Sequence, residues 1–525
     1  MTDIFRILRG PLAVLLAAAL LCGICGCSFL YDEGEFSDIL GASDPSDPDD
    51  DSVTDSEPER VFSLAYYTEE GLDPYTSESR TNSELLRLCY SGLFTVDDAY
   101  GARPVIAEEY TVEGNTVTVT LRSDVRFSDG TPVTAEDCAD SYARAAGKDS
   151  IWAGAFAYIR SYKAVDQKTF QITFRSYYPT QLNLLNIPIT KSGSTDPAGY
   201  PVGCGRYRFD SSAGFDLVKT DCNCIAGDYS VERIRLLAIA DREAMIYNFN
   251  YGRLQAVYAD LSLGAEEYRS DNEIVTIPTN RLTFLAVNRS REELKNVNFS
   301  KGITYLIDRT TLTEKVLNGF ASPVWYPLNP AWEGTVEAAL NPEIYSTVSA
   351  GNAFHQAGFV LKGDVREYKG KQVSLRLLVN RENPSRVKTA EAVAAALRDA
   401  GFAVELVQAT WDEYQAAVKN LDFDLYLGEV NLPDNLNLSA LFSSAVCNTG
   451  EPAGTYDALR VEADGVLQGG DVRTFVSNFQ NALPFVPLYY SRDALAVSMD
   501  VTGTFGGSVT EFYAGIENWV FTDRR

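Results

Sequence analysis

LRSDVRFSDGTPVTAEDCADSYAR, residues Leu121 to Arg144, holds the end of a strand, a turn and the start of a helix in one run. Just before it, Tyr110 to Arg122 alternates Val117, Val119 and Leu121 with Thr116, Thr118 and Thr120. Period 2 marks a half-buried strand, because successive side chains point to opposite faces. Glu113-Gly114-Asn115 supplies the turn into it, since glycine takes positive φ without steric penalty. Asp129-Gly130 makes a second turn. Thr134 followed three residues later by Asp137 is a helix-start signature, and Val133 is placed to staple against the helix behind it. The stretch therefore predicts a hairpin, a turn and a capped helix.

Further motifs flank it in a fixed order. Leu72-Asp73-Pro74, Tyr90-Ser91-Gly92-Leu93-Phe94 and Arg103-Pro104-Val105-Ile106-Ala107-Glu108 precede it. Pro201-Val202-Gly203-Cys204-Gly205-Arg206-Tyr207 follows, and the chain closes with Phe485-Val486-Pro487-Leu488-Tyr489-Tyr490 and Trp519-Val520-Phe521. This set resembles the family 5 extracellular solute-binding proteins, the peptide and nickel receptors of bacterial ABC importers, over nearly all of residues 61–521. Cys204 and Arg206 depart from the usual Pro-x-Gly-Thr-Gly-Pro-Tyr of that family. The resemblance implies an α/β, two-lobed periplasmic-binding-protein-like fold (type II, cluster C style) with an extra subdomain inserted in lobe one. Lobe one would comprise 61–100, 181–285 and a C-terminal return over 485–525, with the inserted subdomain at 101–180 and lobe two at 286–484.

The first residues read as a delivery segment. Arg6 and Arg9 form a positive region, and Pro11 to Leu21 is an apolar run of roughly a dozen residues, short of the ~20 a spanning helix needs. It ends in Ile24-Cys25-Gly26-Cys27, similar to a lipobox, with small Gly26 before the acylated cysteine. Cys25 fits less well because Ile24 precedes it. We expect residues 1–26 to be a lipoprotein signal peptide and Cys27 to carry the lipid, against a soluble secreted product or an uncleaved anchor. Residues 27–60 then form an acidic tether, including Asp49-Asp50-Asp51, too poor in apolar groups to offset the entropy of ordering.

Composition narrows the function. Lys and Arg total 45 against 72 Asp and Glu, a net charge of -27. Phosphate polymers are repelled by such a surface, so no nucleic-acid partner is expected. Nine cysteines are scattered rather than set at disulfide-scaffold density. Cys89 and Cys138 read as small buried hydrophobes, and Cys222-Asn223-Cys224 lacks a second pair at zinc spacing. The single histidine, His355, sits at a helix end capped by Gly358. No Gly-x-Ser-x-Gly elbow, His-Glu-x-x-His helix, phosphate loop or dinucleotide fingerprint is present. We expect neither an enzyme nor a cofactor.

From about residue 285 onward the pattern is β/α. Lys371 to Asn380 reads as a strand, Ser385 to Ala400 as a helix, Phe402 to Val407 as a strand, Trp411 to Asn420 as a helix and Phe423 to Gly428 as a third strand. Such alternation predicts right-handed crossovers and a parallel sheet, whose carboxyl ends are where open α/β sheets bind ligands. By the resemblance, Glu429 takes the place of the aspartate that binds a peptide's ammonium, and Tyr426 replaces a common Trp. Asn431, Asp434, Trp411 and Trp325 are the other expected ligand-lining residues, with Tyr66, Tyr67 and Tyr326 as further aromatic candidates. An ordinary solvated acid is the alternative for Glu429 and Asp434. The expected function is capture of short peptides in an interlobe cleft by a monomeric, membrane-tethered receptor, and delivery to an ABC permease. A nickel-chelate or other small-solute receptor, or a non-transport surface protein on the same fold, are the alternatives.

Overall fold

The computed structural model describes residues 61–522 apart from 213, 260–271, 339–344 and 444–445. The expectations for Cys27, the signal peptide and the tether lie outside the described residues. Strand β1 (Ser63–Tyr67) and helix α1 (Arg80–Leu86) come first. Next are β2 (Ala107–Glu113), β3 (Thr116–Leu121), α2 (Ala135–Ala145), β4 (Ile159–Ala164) and β5 (Thr169–Phe174). These strands form a separate antiparallel sheet in the order β2-β3-β5-β4. Val117, Val119 and Leu121 point into its core, and α2 adds Cys138, Tyr142 and Ala145 to the same cluster. The Thr134 hydroxyl accepts the Asp137 N–H at 3.3 Å while the Asp137 carboxylate accepts the Thr134 N–H at 3.0 Å. This reciprocal box satisfies donors that the first helical turn leaves open.

The main sheet takes β6 (Tyr207–Asp210), β7 (Asp216–Lys219), β8 (Arg233–Ile239), β9 (Ala256–Ala259) and β10 (Glu273–Val287). It continues with β11 (Ser374–Asn380), helix α3 (Pro384–Asp399), β12 (Ala403–Ala409), helix α4 (Trp411–Asn420), β13 (Leu425–Asn431) and β14 (Val486–Val497). Its order is β6-β7-β8-β1-β9-β14-β10-β13-β11-β12. Strand β11 pairs in parallel with both β12 and β13, so the predicted strand-helix-strand-helix-strand unit is present. The sheet as a whole is mixed, however, because β10 runs antiparallel to both β13 and β14. The strand expected over Lys371 to Asn380 is also broken at Val373, since Lys371–Gln372 pairs with the Val365–Tyr368 strand instead.

Two long strands join the halves of this sheet. The amino-terminal part of β10 pairs beside β9's partner β14, and its carboxyl-terminal part pairs with β13. Between Pro278 and Leu282 the register with β14 shifts, leaving Thr279, Asn280 and Arg281 outside the ladder. Such a bulge bends a strand and raises its twist locally. Apolar clusters flank the sheet on both sides of the crossing: Leu64, Leu236 and Trp519 in the first half, Leu425, Leu427 and Val393 in the second.

Candidate ligand-binding site

The carboxyl end of β13 carries the strongest site. Along this strand Leu425 and Leu427 enter one apolar cluster and Tyr426 enters the other, so Glu429 follows on the Leu425/Leu427 face just beyond the core. Its register partner on β10 is Thr283, whose hydroxyl donates to Glu429 Oε2 at 3.4 Å. Glu429 is half-buried, and no cation among the described residues lies within ion-pair distance of its carboxylate. Asn431 follows two positions on, exposed at the strand end opposite Arg281.

A polar seam continues from Glu429 to α3. Thr283 stands opposite Tyr489 of β14, and the Tyr489 hydroxyl meets Thr389 Oγ1 of α3 at 3.0 Å. Burial pushes the Tyr489 phenol up to about 12; hydrogen bonds from Thr389 and Thr283 work against this, Glu429 adds to it, and the Arg386 charge opposes it. Arg386 lies one turn before Thr389, on the first turn of α3, and its Nε is buried with no hydrogen-bond partner among the described residues. Glu429 and Arg386 thus act on the Tyr489 hydroxyl with opposite charges. Nothing in the pattern of residues 371–400 singled out Arg386; its position at the start of the helix after the first parallel strand was the available signal.

A second charged group lies where β10 and β14 cross. Asp493 is 1% exposed and accepts from Arg281 and from the Tyr258 hydroxyl at 3.1 Å, with Arg80 at 3.8 Å. Glu84 of α1, 0% exposed, pairs with Arg80 at 2.9 Å and Arg87 at 3.5 Å and accepts the Phe512 N–H at 3.2 Å. Burial works against the charge on Arg281, but Asp493, Tyr258 and Glu429 together hold it above its ordinary pKa. Arg281 and Thr283 share a face of β10, so this lattice and the Glu429 seam are continuous.

The other expected residues take different places. Tyr426 is 2% exposed, its ring set among Phe284, Tyr414 and Phe423, and its hydroxyl accepts the Asn448 N–H at 3.1 Å. It is a core residue, because its position in the strand's alternation faces away from Glu429. Asp434 is a strut: its carboxylate accepts from Asn186 and Asn280, each at 3.0 Å, and its carbonyl from Asn183 at 3.0 Å. The adjoining Asn435 and Asn437 both donate to the Tyr178 hydroxyl. Trp411 is 45% exposed at the start of α4, stacked on Tyr414 with ring centroids 5.7 Å apart. Trp325 is half-buried, with the Arg309 guanidinium 5.9 Å from its ring centroid. Of the six expected residues, then, Glu429 and Asn431 stand together at the strand end, and Trp411 opens the neighbouring helix α4.

Residues 101–450 match the family model described as bacterial extracellular solute-binding proteins, family 5, middle. The chain belongs to this family. It is 26% identical over 309 residues to the glutathione-binding protein GsiB of Escherichia coli K12, covering 55% of this chain and 59% of that protein. GsiB of Salmonella typhimurium LT2 matches at 26% over 307 residues, with the same coverage. The chain therefore spans less than two thirds of these curated relatives' length. Among solved structures, an ABC transporter substrate-binding protein of Sinorhizobium meliloti superposes with a TM-score of 0.72 at 20% identity, over 88% of this chain and 100% of that one. NikA of Brucella suis, in complex with Fe(III)-EDTA, gives 0.69 at 18% identity over 88% and 100%. AppA of Bacillus subtilis, in complex with a nonapeptide, gives 0.60 at 18% over 89% and 100%. These structural likenesses concern the two-lobed α/β fold. Family 5 substrate-binding proteins are extracytoplasmic solute receptors, and no helix among the described residues is long and apolar enough to cross a membrane.

Proposed function

We propose that this receptor captures short peptides or peptide-like solutes between its lobes and hands them to an ABC permease while tethered to the membrane through Cys27. The observation that carries this reading is Glu429: a half-buried carboxylate at the carboxyl end of a parallel strand, with a hydroxyl donor but no ion-pair partner among the described residues. A ligand ammonium removed from water needs such a partner, and a charge-assisted hydrogen bond is about twice as strong as a neutral one. Arg386, which acts on the same Tyr489 hydroxyl with the opposite charge, would take a ligand carboxylate, so the seam suits a zwitterion. The glutathione receptors among the relatives are named for a solute of that charge type.

Calorimetry with a short-peptide library on the full chain tests this. Glu429→Gln is expected to weaken binding by about 2 kcal/mol or more, because it leaves a desolvated ammonium unpaired. N-acetylation of the same peptides should cost wild type a similar amount and the variant little. Equal affinity of wild type and variant for the free-amine peptide would remove Glu429 from the site.

A further inference from the structure

Away from the cleft, one feature of the first half of the sheet has no part in solute capture. We propose that Cys204 and the Cys222-Asn223-Cys224 turn form a redox site, in which a disulfide joins Cys204 to one of the two turn thiols. Strands β6 and β7 pair in antiparallel register from Asp210↔Asp216 to Tyr207↔Lys219. The Thr220 N–H then donates to the Arg206 carbonyl at 2.9 Å, carrying the register one place further. Two places further along each segment, past the ends of both strands, come Cys204 and Cys222, and the Thr220 hydroxyl donates to the Gly205 carbonyl at 2.7 Å. Cys204 Sγ lies 3.7 Å from the Ile189 carbonyl and 4.0 Å from that of Ser91, and Cys224 also bonds Ser91. All three thiols belong to one apolar cluster and are free.

The surroundings decide when such a bond forms. Extracytoplasmic proteins meet oxidising conditions in which disulfides persist. Burial raises the Cys204 and Cys224 thiols above their ordinary range and pushes Cys222 up to about 12, so the folded chain keeps them protonated and unreactive. The turn between β7 and β8 has no regular structure, and is held by the Arg122 guanidinium on the carbonyls of Asn223 and Cys224 at 2.9 and 3.2 Å. Segments of this kind open at lower free energy than a paired ladder. On opening, one thiolate attacks a small-molecule disulfide, forms a mixed disulfide and expels a thiolate. The second cysteine then displaces the remaining half, so that two cysteine thiols are oxidised and one disulfide is reduced to two thiols. The bond would fasten the turn to the segment under α1, because Gly203 and Gly205 lie directly on Cys89: a Cβ on either would fall 2.3 Å from its backbone.

The inference rests on the extracytoplasmic family and not on which solute binds, so its failure leaves the ligand reading intact. The full chain is unfolded, refolded with glutathione disulfide, alkylated and cleaved after Lys and Arg without reduction. The expected product joins residues 192–206 to residues 220–233, disappears on reduction and is absent from Cys204→Ser. The oxidised protein should also melt about 2 °C or more above the reduced protein. If Cys204→Ser does not fold, the Cys222→Ser/Cys224→Ser double variant gives the same readout. Recovery of both peptides fully alkylated after oxidative refolding, or linkage of Cys204 to Cys89 or Cys138 instead, overturns the proposal.

Discussion

Burial holds the Asp434 carboxyl above its ordinary pKa of 3.8, against the Asn186 hydrogen bond and the charges of Arg87 and Arg80. The folded protein therefore keeps this proton to higher pH than the unfolded chain, so the contribution of Asp434 to stability falls as pH rises through that window. Asp434→Asn removes this term. It can also keep the strut, because Asn186 Oδ1 is buried without a partner and could accept the new amide once the Asn186 side chain turns over. Urea unfolding between about pH 4 and 7 should show the variant gaining on wild type as pH rises; parallel curves would mean the carboxyl is not perturbed. Asp434→Ala leaves the Asn186 and Asn280 amides unpaired and should cost about 1–3 kcal/mol. Tyr426→Phe gives the complementary contrast. It orphans the Asn448 N–H and removes the hydrogen bond to the Cys447 thiol, so it should destabilise by about 1–2 kcal/mol with solute affinity unchanged. A tenfold loss of affinity in calorimetry would instead return Tyr426 to the binding surface.

Helix α2 takes its start from Thr134, and Thr134→Ala should cost about 1 kcal/mol in thermal or urea unfolding, since Asp137 then loses one half of the box. No change would show that the Asp137 carboxylate, which also accepts the Ser192 N–H at 3.0 Å, holds this end unaided. This element was readable in the sequence because its information is local: a box spans four residues, and the Val-Thr alternation of β3 needs only a neighbouring strand. The same holds for α4, expected over Trp411 to Asn420 and found there, with its own Thr410–Glu413 box. Strand β10 was not readable. It is buried along most of its carboxyl-terminal half, and Pro278, Thr279 and Asn280 interrupt its apolar pattern. Its partners lie far away in sequence, in β13 and β14. The binding site divides in the same manner. Glu429 is proposed from its match to the family pattern and its place after a parallel strand, both readable in the sequence, whereas the positions of Tyr426 and Asp434 depend on which face and which partner the tertiary fold gives them.

At the scale of the whole molecule, two strands carry one sheet through both lobes, and if a solute is captured between them as proposed, the lobes would part by bending at that crossing. The register points to where bending is cheapest. Thr279 and Asn280 have no ladder partner on either neighbour, while Arg281 to Val287 are paired with β13 throughout. Side chains and loops hold the gap instead: the Thr279 hydroxyl donates to the Ser491 carbonyl at 2.6 Å, and the Leu432 N–H donates to the Asn280 carbonyl at 2.9 Å. Arg281 leans on Asp493 in the first half while Thr283, two residues on, touches Glu429 in the second, so a solute that engaged Glu429 as proposed would act on this same strand. Hydrogen exchange on the solute-free protein should show the amides of 279 and 280 exchanging faster than those of 281–287, because opening the bulge breaks fewer bonds than opening the ladder. Saturation with a bound peptide should slow the bulge amides more than the ladder amides, since the ligand favours the closed arrangement alone. Uniform protection along β10, unmoved by ligand, would make this sheet a rigid plate and place the closing motion elsewhere.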